Sequence, residues 1–140
     1  MKFITKILLL LLLSTTVSAC NNDDDNQNEC NENAIVSSEE YETAPNDPLN
    51  INSVTIEGDC LTINFVTGGC DGESWIIKFI SSEIIEPTVP PSRQVRLSLI
   101  DNEDCEALIT KNVSFNIKNL RVEGNNVVLL FDNSSIEYEY

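Results

Sequence analysis

Five cysteines carry the most reactive side chains of the 140-residue sequence, and the chain contains no histidine. A thiol can form a disulfide, hold a metal ion or accept a lipid. The missing imidazole removes the commonest general base and zinc ligand, and it excludes any serine or cysteine protease dyad that depends on histidine. The cysteines are Cys20, Cys30, Cys60, Cys70 and Cys105.

Cys20 follows directly after a segment with the layout of an export signal. Two lysines precede the aliphatic run 7–13, which is too short to cross a bilayer as a permanent helix, so residues 1–19 are predicted to be a signal peptide. The motif Val17-Ser18-Ala19-Cys20 resembles a bacterial lipobox. The resemblance implies that the Cys20 sulfur carries a diacylglycerol, that the chain is cut before Cys20, and that the new amine is acylated.

The number of cysteines supports lipidation of Cys20. Five cysteines in an exported protein leave one unpaired, whereas lipidation of Cys20 leaves an even set of four. Several acyl chains give stable anchoring where a single chain binds only marginally. We therefore expect a membrane attachment through the lipid on Cys20.

An acidic run follows the lipobox. Asp23, Asp24 and Asp25 lie just after Cys20, and this arrangement is similar to the surface-export signal of lipoproteins in Bacteroidota. The resemblance implies an outer-membrane protein that faces the exterior. The alternative is that the three aspartates only keep a tether soluble.

The charge of the chain is strongly negative, with 8 basic and 23 acidic residues and a net charge of −15. Removal of residues 1–19 would leave six basic residues against the same 23 acids, a net charge of −17. Such a field repels phosphate backbones, so nucleic acid is not expected as a partner. The possible partner that we expect instead is a protein or a glycan at the cell surface.

Residues 20–50 are predicted to be an acidic tether. Positions 21–50 contain nine acids and no base, so segments 21–29 and 37–50 are expected to be disordered. Cys30 interrupts this composition and indicates a covalent staple between the tether and the domain.

Residues 51–140 are predicted to form one all-β domain. Short runs with alternating apolar residues are separated by turn residues, and no long helix is indicated. The pattern favours a small antiparallel β-sandwich or a partly closed barrel of about seven strands. The predicted strands are 51–57, 60–67, 74–80, 93–101, a strand around 113–118, a hairpin of 120–123 with 127–131, and 136–140.

Four cysteines allow three pairings. Cys70 and Cys105 both fall in loops between predicted strands, and Cys60 points away from the core face of its strand, where a returning N-terminal segment would lie. We therefore expect disulfides between Cys70 and Cys105 and between Cys30 and Cys60. Metal binding by these thiols is disfavoured, because export favours oxidation and no close cysteine pair is present.

The sequence around two of these cysteines resembles a recurring domain. The loop 68–72 (Gly-Gly-Cys-Asp-Gly), the segment 104–110 (Asp-Cys-Glu-Ala-Leu-Ile-Thr) and the strand 113–117 look like an all-β domain of uncharacterised flavobacterial lipoproteins, over about residues 50–140. The resemblance implies a β-rich fold and a disulfide between Cys70 and Cys105. It implies no activity and no cofactor.

Other candidate sites have simple structural explanations. The acids of segment 101–106 suggest calcium, but their spacing lacks the features of an EF-hand loop and a solvated acidic loop explains them as well. Trp75 suggests a sugar platform, but its alternation with Ile77 and Phe79 favours a core position. No pair of acids stands out as a glycosidase pair.

These observations predict a lipid-anchored surface protein with a disulfide-stapled β domain that binds a partner and has no catalytic or metal site. The alternative is a small extracellular hydrolase or a protease inhibitor that uses an acidic pair or an exposed loop.

Overall fold

The protein is a two-layer β-sandwich in a computed structural model that describes residues 30–140. This confirms the predicted all-β sandwich, and the two sheets of the described part do not close into a barrel. The predicted signal peptide 1–19, Cys20 and the run Asp23, Asp24 and Asp25 lie outside the described residues.

Residues 30–140 form nine strands where the sequence predicts about seven. In chain order they are β1 Glu32–Asn33, β2 Ile35–Val36, β3 Asn50–Glu57, β4 Cys60–Gly69, β5 Ile76–Glu86, β6 Ser92–Ile100, β7 Ala107–Asn116, β8 Asn126–Leu130 and β9 Ser135–Glu139. Four of them (β3, β4, β5 and β7) are longer than predicted. A six-residue helix, α1 (Ser38–Thr43), precedes β3, and a 3-10 turn (Lys118–Leu120) follows β7. None of the helices in residues 30–140 has the length and apolarity needed to cross a membrane.

The strands form a four-stranded sheet in the order β1-β7-β4-β3 (sheet A) and a five-stranded sheet in the order β2-β5-β6-β8-β9 (sheet B). The long pairs β3–β4, β4–β7 and β5–β6 are antiparallel, but β1–β7, β2–β5 and β6–β8 are parallel. Both sheets are therefore mixed, whereas the sequence favours antiparallel pairing. The parallel pairs arise because the chain crosses between the sheets instead of returning by tight turns.

The core lies between the sheets and follows from the period-2 alternation of β4 and β6. Leu61, Ile63 and Phe65 of β4 are fully buried, and Phe79 of β5 stacks 5.5 Å from Phe115 of β7 between ring centroids. The facing side chains of β6 are Val95, Leu97 and Leu99.

Residues 30–50, here called the strap, belong to the domain. The expected disorder of 37–50 is wrong, and the predicted boundary between tether and domain lies too far along the chain. β1 pairs with β7 of sheet A, β2 pairs with β5 of sheet B, and Ala34 between them is buried. The strap thus closes one open side of the sandwich.

Long-range hydrogen bonds explain why an acidic segment is ordered. The Ser37 hydroxyl caps α1 by accepting from the Glu40 N–H at 3.1 Å. The Arg96 guanidinium of β6 donates to four strap carbonyls at the end of α1, with distances of 2.7 to 3.4 Å. These acceptors are the carbonyl oxygens of Glu40, Tyr41, Ala44 and Pro45.

The predicted hairpin of 120–123 with 127–131 does not form. Leu120 ends the 3-10 turn with its side chain fully buried, and β8 pairs with β9 and with β6. The Leu120 side chain is therefore part of the core, and not of a strand. An irregular segment that turns at Gly124 leads from it into β8.

Candidate functional site

A cleft of about 690 Å³ lies at the open side of the sandwich opposite the strap's strands. One wall is the first half of β3, which is the edge strand of sheet A on the side away from β1. The other wall is the chain from Phe131 to Ile136, where β8 turns into β9. Its size is that of a site for a small molecule or a short piece of polypeptide.

The floor of the cleft is apolar. Val95 and Leu97 of β6 contribute their inward faces, and Phe131 closes the floor at the end of β8. These three side chains are 0%, 4% and 9% exposed, so they are core residues with one surface towards the cleft. Ile51 and Val54 of β3 face them from the other sheet.

Sheet B has a gap beside β6 at this floor. β8 pairs only with Ser92–Gln94 of β6, and the next neighbour on that side is the isolated bridge of Asn46 with Leu99. The Pro91 carbonyl accepts from the Val128 N–H at 2.9 Å, and the Leu99 carbonyl accepts from the Asp47 N–H at 3.1 Å. Backbone groups two residues apart point to the same side of a strand, so Leu97 directs its N–H and C=O into the cleft.

The rim is polar and carries negative charge. Asp47 and Asp132 both line the cleft. The Asp47 carboxylate also accepts from the Asp101 N–H at 2.7 Å, whereas Asp132 is exposed. Arg96 is the one cation of the lining, and its guanidinium is occupied by the strap carbonyls. The uncharged members of the rim are Asn46, Asn50, Asn52, Ser53, Asn133, Ser134 and Ser135.

Two hydrogen bonds fix the walls of the cleft. The Thr67 hydroxyl of β4 donates to the Pro48 carbonyl at 2.6 Å and ties the start of β3 to sheet A. The Phe131 N–H donates to the Ser134 carbonyl at 2.8 Å and closes the β8–β9 turn. The cleft is therefore built from ordered backbone on both sides.

The acids of segment 101–106 do not meet around a common point. The Glu103 carboxylate accepts from the backbone N–H groups of Cys70, Asp71 and Gly72 and from the Ser74 hydroxyl. Burial opposes ionisation of Glu103, but these donors outweigh it and lower its pKa to about 2.

Asp101 binds the other side of the same loop. Its carboxylate accepts from the Trp75 indole N–H at 2.9 Å and from the Glu103 N–H at 2.9 Å. Within residues 30–140, no three acidic or cysteine side chains are grouped as metal ligands would be. Asp101 and Glu103 are therefore loop-building residues and not free, solvated acids.

Trp75 is a core residue, as its alternation predicts. Its side chain is 8% exposed and packs against Phe65, Gly69 and Gly72. Gly72 has a φ of +70°, and a Cβ there would overlap the indole, so this loop position requires glycine. A sugar platform is not formed.

A polar cluster that the sequence analysis did not predict lies at the opposite end of the sandwich. Asp59, in the β3–β4 turn, accepts from the Tyr138 hydroxyl and from Arg121, and Arg121 also donates to the Tyr138 oxygen at 2.9 Å. Burial and the hydrogen bond to Asp59 raise the pKa of Tyr138 to about 12, against the opposing effect of Arg121. Residues 59, 121 and 138 are far apart in sequence, so only the fold brings them together.

Residues 30–140 contain two disulfide bonds, in agreement with the disulfide-stapled domain expected from the sequence. Cys30 is bonded to Cys60 with a Cα–Cα distance of 5.7 Å, and Cys70 is bonded to Cys105 with a Cα–Cα distance of 4.9 Å. The first holds the start of the strap on β4, and the second joins the two loops that Glu103 bridges. Neither lies at the cleft.

No family model and no curated protein sequence matches this chain. Solved structures share the fold. One is a protein of unknown function, DUF1344, from Bacteroides vulgatus (TM-score 0.51, 17% identity), and it covers 78% of this chain and 56% of its own. Another is a NigD-like immunity protein from Bacteroides caccae (TM-score 0.55, 10% identity), covering 76% of this chain and 58% of its own.

This chain therefore spans less than two thirds of the length of either neighbour. At these identities the likeness shows the fold alone. Both neighbours come from Bacteroides, in agreement with the Bacteroidota lipoproteins that the sequence resembles. Neither neighbour is described as an enzyme.

Proposed function

We propose that the protein is a lipid-anchored binding module of the outer membrane, attached through Cys20, facing the exterior and engaging its partner at the cleft. Anchoring is supported by the lipobox-like motif and by the use of the other cysteines. Because the four described cysteines are bonded to one another, none of them is left to pair with Cys20. Cys20 is then the thiol that remains for a lipid.

The observation that carries the binding role is the cleft itself. It combines a rigid apolar floor with a polar rim, which is the usual construction of a recognition site. Three serines line it, but the chain has no histidine to activate a serine hydroxyl. The residues therefore suit recognition better than covalent chemistry.

The alternative function is a small hydrolase that uses the two rim carboxylates. Asp47 and Asp132 differ in environment, since Asp47 is hydrogen-bonded to the Asp101 N–H and Asp132 is exposed. A glycosidase places its two carboxylates in unequal surroundings on either side of the scissile bond. Loss of a hydrolytic activity in both Asp47→Asn and Asp132→Asn would support this alternative over the binding role.

A protease inhibitor is the other alternative, through the β5–β6 connection. Val89 is fully exposed there and is flanked by Pro87 and Pro90. Proline restricts the backbone, and a stiff exposed loop is what a protease active site would engage.

A binding role is in keeping with the description of one fold neighbour as an immunity protein, although fold alone does not transfer a partner.

Replacement of Cys20 tests the anchor. Cells that express the wild-type chain and are fed an alkyne-bearing fatty acid should yield a labelled protein in the membrane fraction. Cys20→Ala should lose both the label and the membrane association, while a double Cys70→Ser, Cys105→Ser variant should keep both. A labelled, membrane-bound Cys20→Ala protein would contradict the proposal.

A further inference from the structure

We propose that the cleft takes an extended, basic segment of a partner protein, which adds as a short strand along β3 and hydrogen-bonds to Leu97. This inference rests on the proposed binding function and names the class of partner. It is carried by the unpaired strand edges, by the way in which the strap strands β1 and β2 bind the opposite side, and by the charge of the rim.

The first argument is the pair of strand edges that meet in the cleft. Among the described residues, β3 pairs with no strand other than β4, so its outer backbone groups face the open side. Leu97 presents its N–H and C=O from sheet B across the same space. Exposed strand edges are templates for an added strand, and the backbone bonds supply affinity without requiring a particular sequence.

The second argument is the strap, which shows how this sandwich accepts an extended chain. Glu32–Asn33 add to the edge of sheet A, Ala34 enters the core, and Ile35–Val36 add to the edge of sheet B. Five residues thus bridge both sheets and bury one small apolar side chain. The cleft offers the same three elements on the other side: an edge in sheet A, an apolar floor, and open backbone groups in sheet B.

The third argument is charge. Asp47 and Asp132 outnumber Arg96 in the lining, and the Arg96 guanidinium is directed at four strap carbonyls, so the cleft has a net negative charge and favours a cationic partner. The chain as a whole carries a net charge of −15, which disfavours a second copy of itself as the occupant. A segment with lysine or arginine beside one or two apolar residues complements both the rim and the floor.

A glycan is less well matched to the cleft. The rim asparagines would suit sugar hydroxyls, but Phe131 is only 9% exposed and offers little ring surface for stacking. The open backbone groups at Leu97 also favour a polypeptide, whose own N–H and C=O groups match them in spacing. The experiment must therefore distinguish glycan binding from peptide binding.

The test begins with peptide selection on the full chain purified in detergent. A phage-displayed library of linear dodecapeptides and a glycan array are both presented to it. We expect enriched peptides that carry lysine or arginine and a central apolar residue. Their affinity should fall by roughly tenfold or more in Asn133→Trp, which fills the cleft, and should be unchanged in the matched turn variant Asn125→Trp.

A second measurement uses the wild-type protein alone, so it does not depend on how a variant folds. The selected peptide is N-methylated one residue at a time, because a methyl group removes the backbone donor of an added strand. Methylation at the alternate positions that face β3 should lower affinity by roughly tenfold, and so should methylation of the intervening residue whose N–H faces Leu97. The other intervening positions should tolerate the methyl group. Hydrogen exchange of the Leu97 amide should slow when the unmethylated peptide binds, and exchange in the Gly124–Asn126 turn should not change.

Four results would overturn the inference: no peptide is enriched, binding persists in Asn133→Trp, every methylated position is tolerated, or the Leu97 amide is not protected. Glycan binding that Asn133→Trp abolishes would also overturn it, yet would leave the proposed binding function in place. Failure of Cys20 lipidation would count against the anchor and not against the occupant of the cleft, so the two failures can be told apart.

Discussion

The backbone N–H of Cys70 donates to the carboxylate of Glu103, and the disulfide of the same Cys70 runs to Cys105, two residues beyond that glutamate. The two loops are therefore joined twice, once by a covalent bond and once by an anion held in a ring of backbone donors. Three successive N–H groups that converge on one oxygen form an anion-binding concavity, here filled by the chain's own side chain.

Loss of the Glu103 charge should weaken this end of the sandwich in a pH-dependent way. The folded-state pKa of about 2 lies below the ordinary value of 4.5, so the carboxylate stabilises the fold above about pH 4.5, and its contribution disappears as the pH falls towards 2. Glu103→Gln should lower the melting temperature clearly at pH 7 and little at pH 2. The exposed residue Glu106 provides the control, since Glu106→Gln should leave both curves close to those of the wild type.

Tyr138→Phe should destabilise the opposite end by about 1 kcal/mol, because it removes the hydroxyl that bridges Asp59 and Arg121. The raised pKa of Tyr138, about 12 against an ordinary 10, adds a pH signature. The extra stability is present below pH 10 and is lost as the pH rises through 12. Urea unfolding at pH 8 and above pH 10 measures both effects. Tyr41→Phe is the control variant, and a Tyr138→Phe protein with the same stability as this control would refute the bridge.

Arg96→Lys should loosen the strap. Lysine keeps the charge but cannot reach four carbonyls with a planar fork, so a loss of about 2 kcal/mol is expected. Amide exchange should accelerate in residues 38–47 and stay unchanged in β7. Lys78→Ala removes only the half-exposed pair with Glu40 and should cost less than about 1 kcal/mol.

Digestion without reduction should release Cys30 joined to Cys60 and Cys70 joined to Cys105. Each bridge closes a loop of 30 or 35 residues, so the double serine variant of either pair should lose roughly 3 to 4 kcal/mol of unfolding free energy in the chain-entropy model. A peptide that joins Cys60 to Cys70 would disprove the pairing.

Outward display is tested by proteinase added to intact cells. The wild-type protein should be digested, and a variant with Asp23, Asp24 and Asp25 replaced by asparagine should be protected. The matched control replaces Asp71, Asp104 and Asp132, which are exposed on the domain, and should still be digested. Full protection of the wild-type protein would place it on the inner side of the membrane.

The alternation of apolar and polar residues predicted those parts of the fold that depend on interactions close in sequence. β4 and β6 alternate so regularly that their inward residues, such as Phe65 and Leu97, follow from sequence alone. The ordering of 37–50 did not follow, because the stabilising partner Arg96 lies more than 50 positions away. The burial of Leu120 in the core could not be predicted for the same reason, since it depends on residues far away in sequence.

The candidate site was the least predictable part. The cleft depends on β8 stopping after three paired positions of β6 and on the Asn46 bridge further along, and neither event has a signal in the residues concerned. The alternation of β6 indicates that the Leu97 side chain lies in the core. It does not indicate that the backbone N–H and C=O of Leu97 have no strand beside them in residues 30–140. The acidic segment 101–106, by contrast, was conspicuous in the sequence and proved to build a loop.

The Cys30–Cys60 bridge also decides how the domain responds to mechanical load. A pull on the chain ahead of Cys30 passes through the disulfide into β4, which lies between β3 and β7 in sheet A. The two-residue strand β1 is thereby bypassed and is not peeled from the sheet. The load therefore enters an inner strand that is paired on both sides, and not the two-residue edge strand β1.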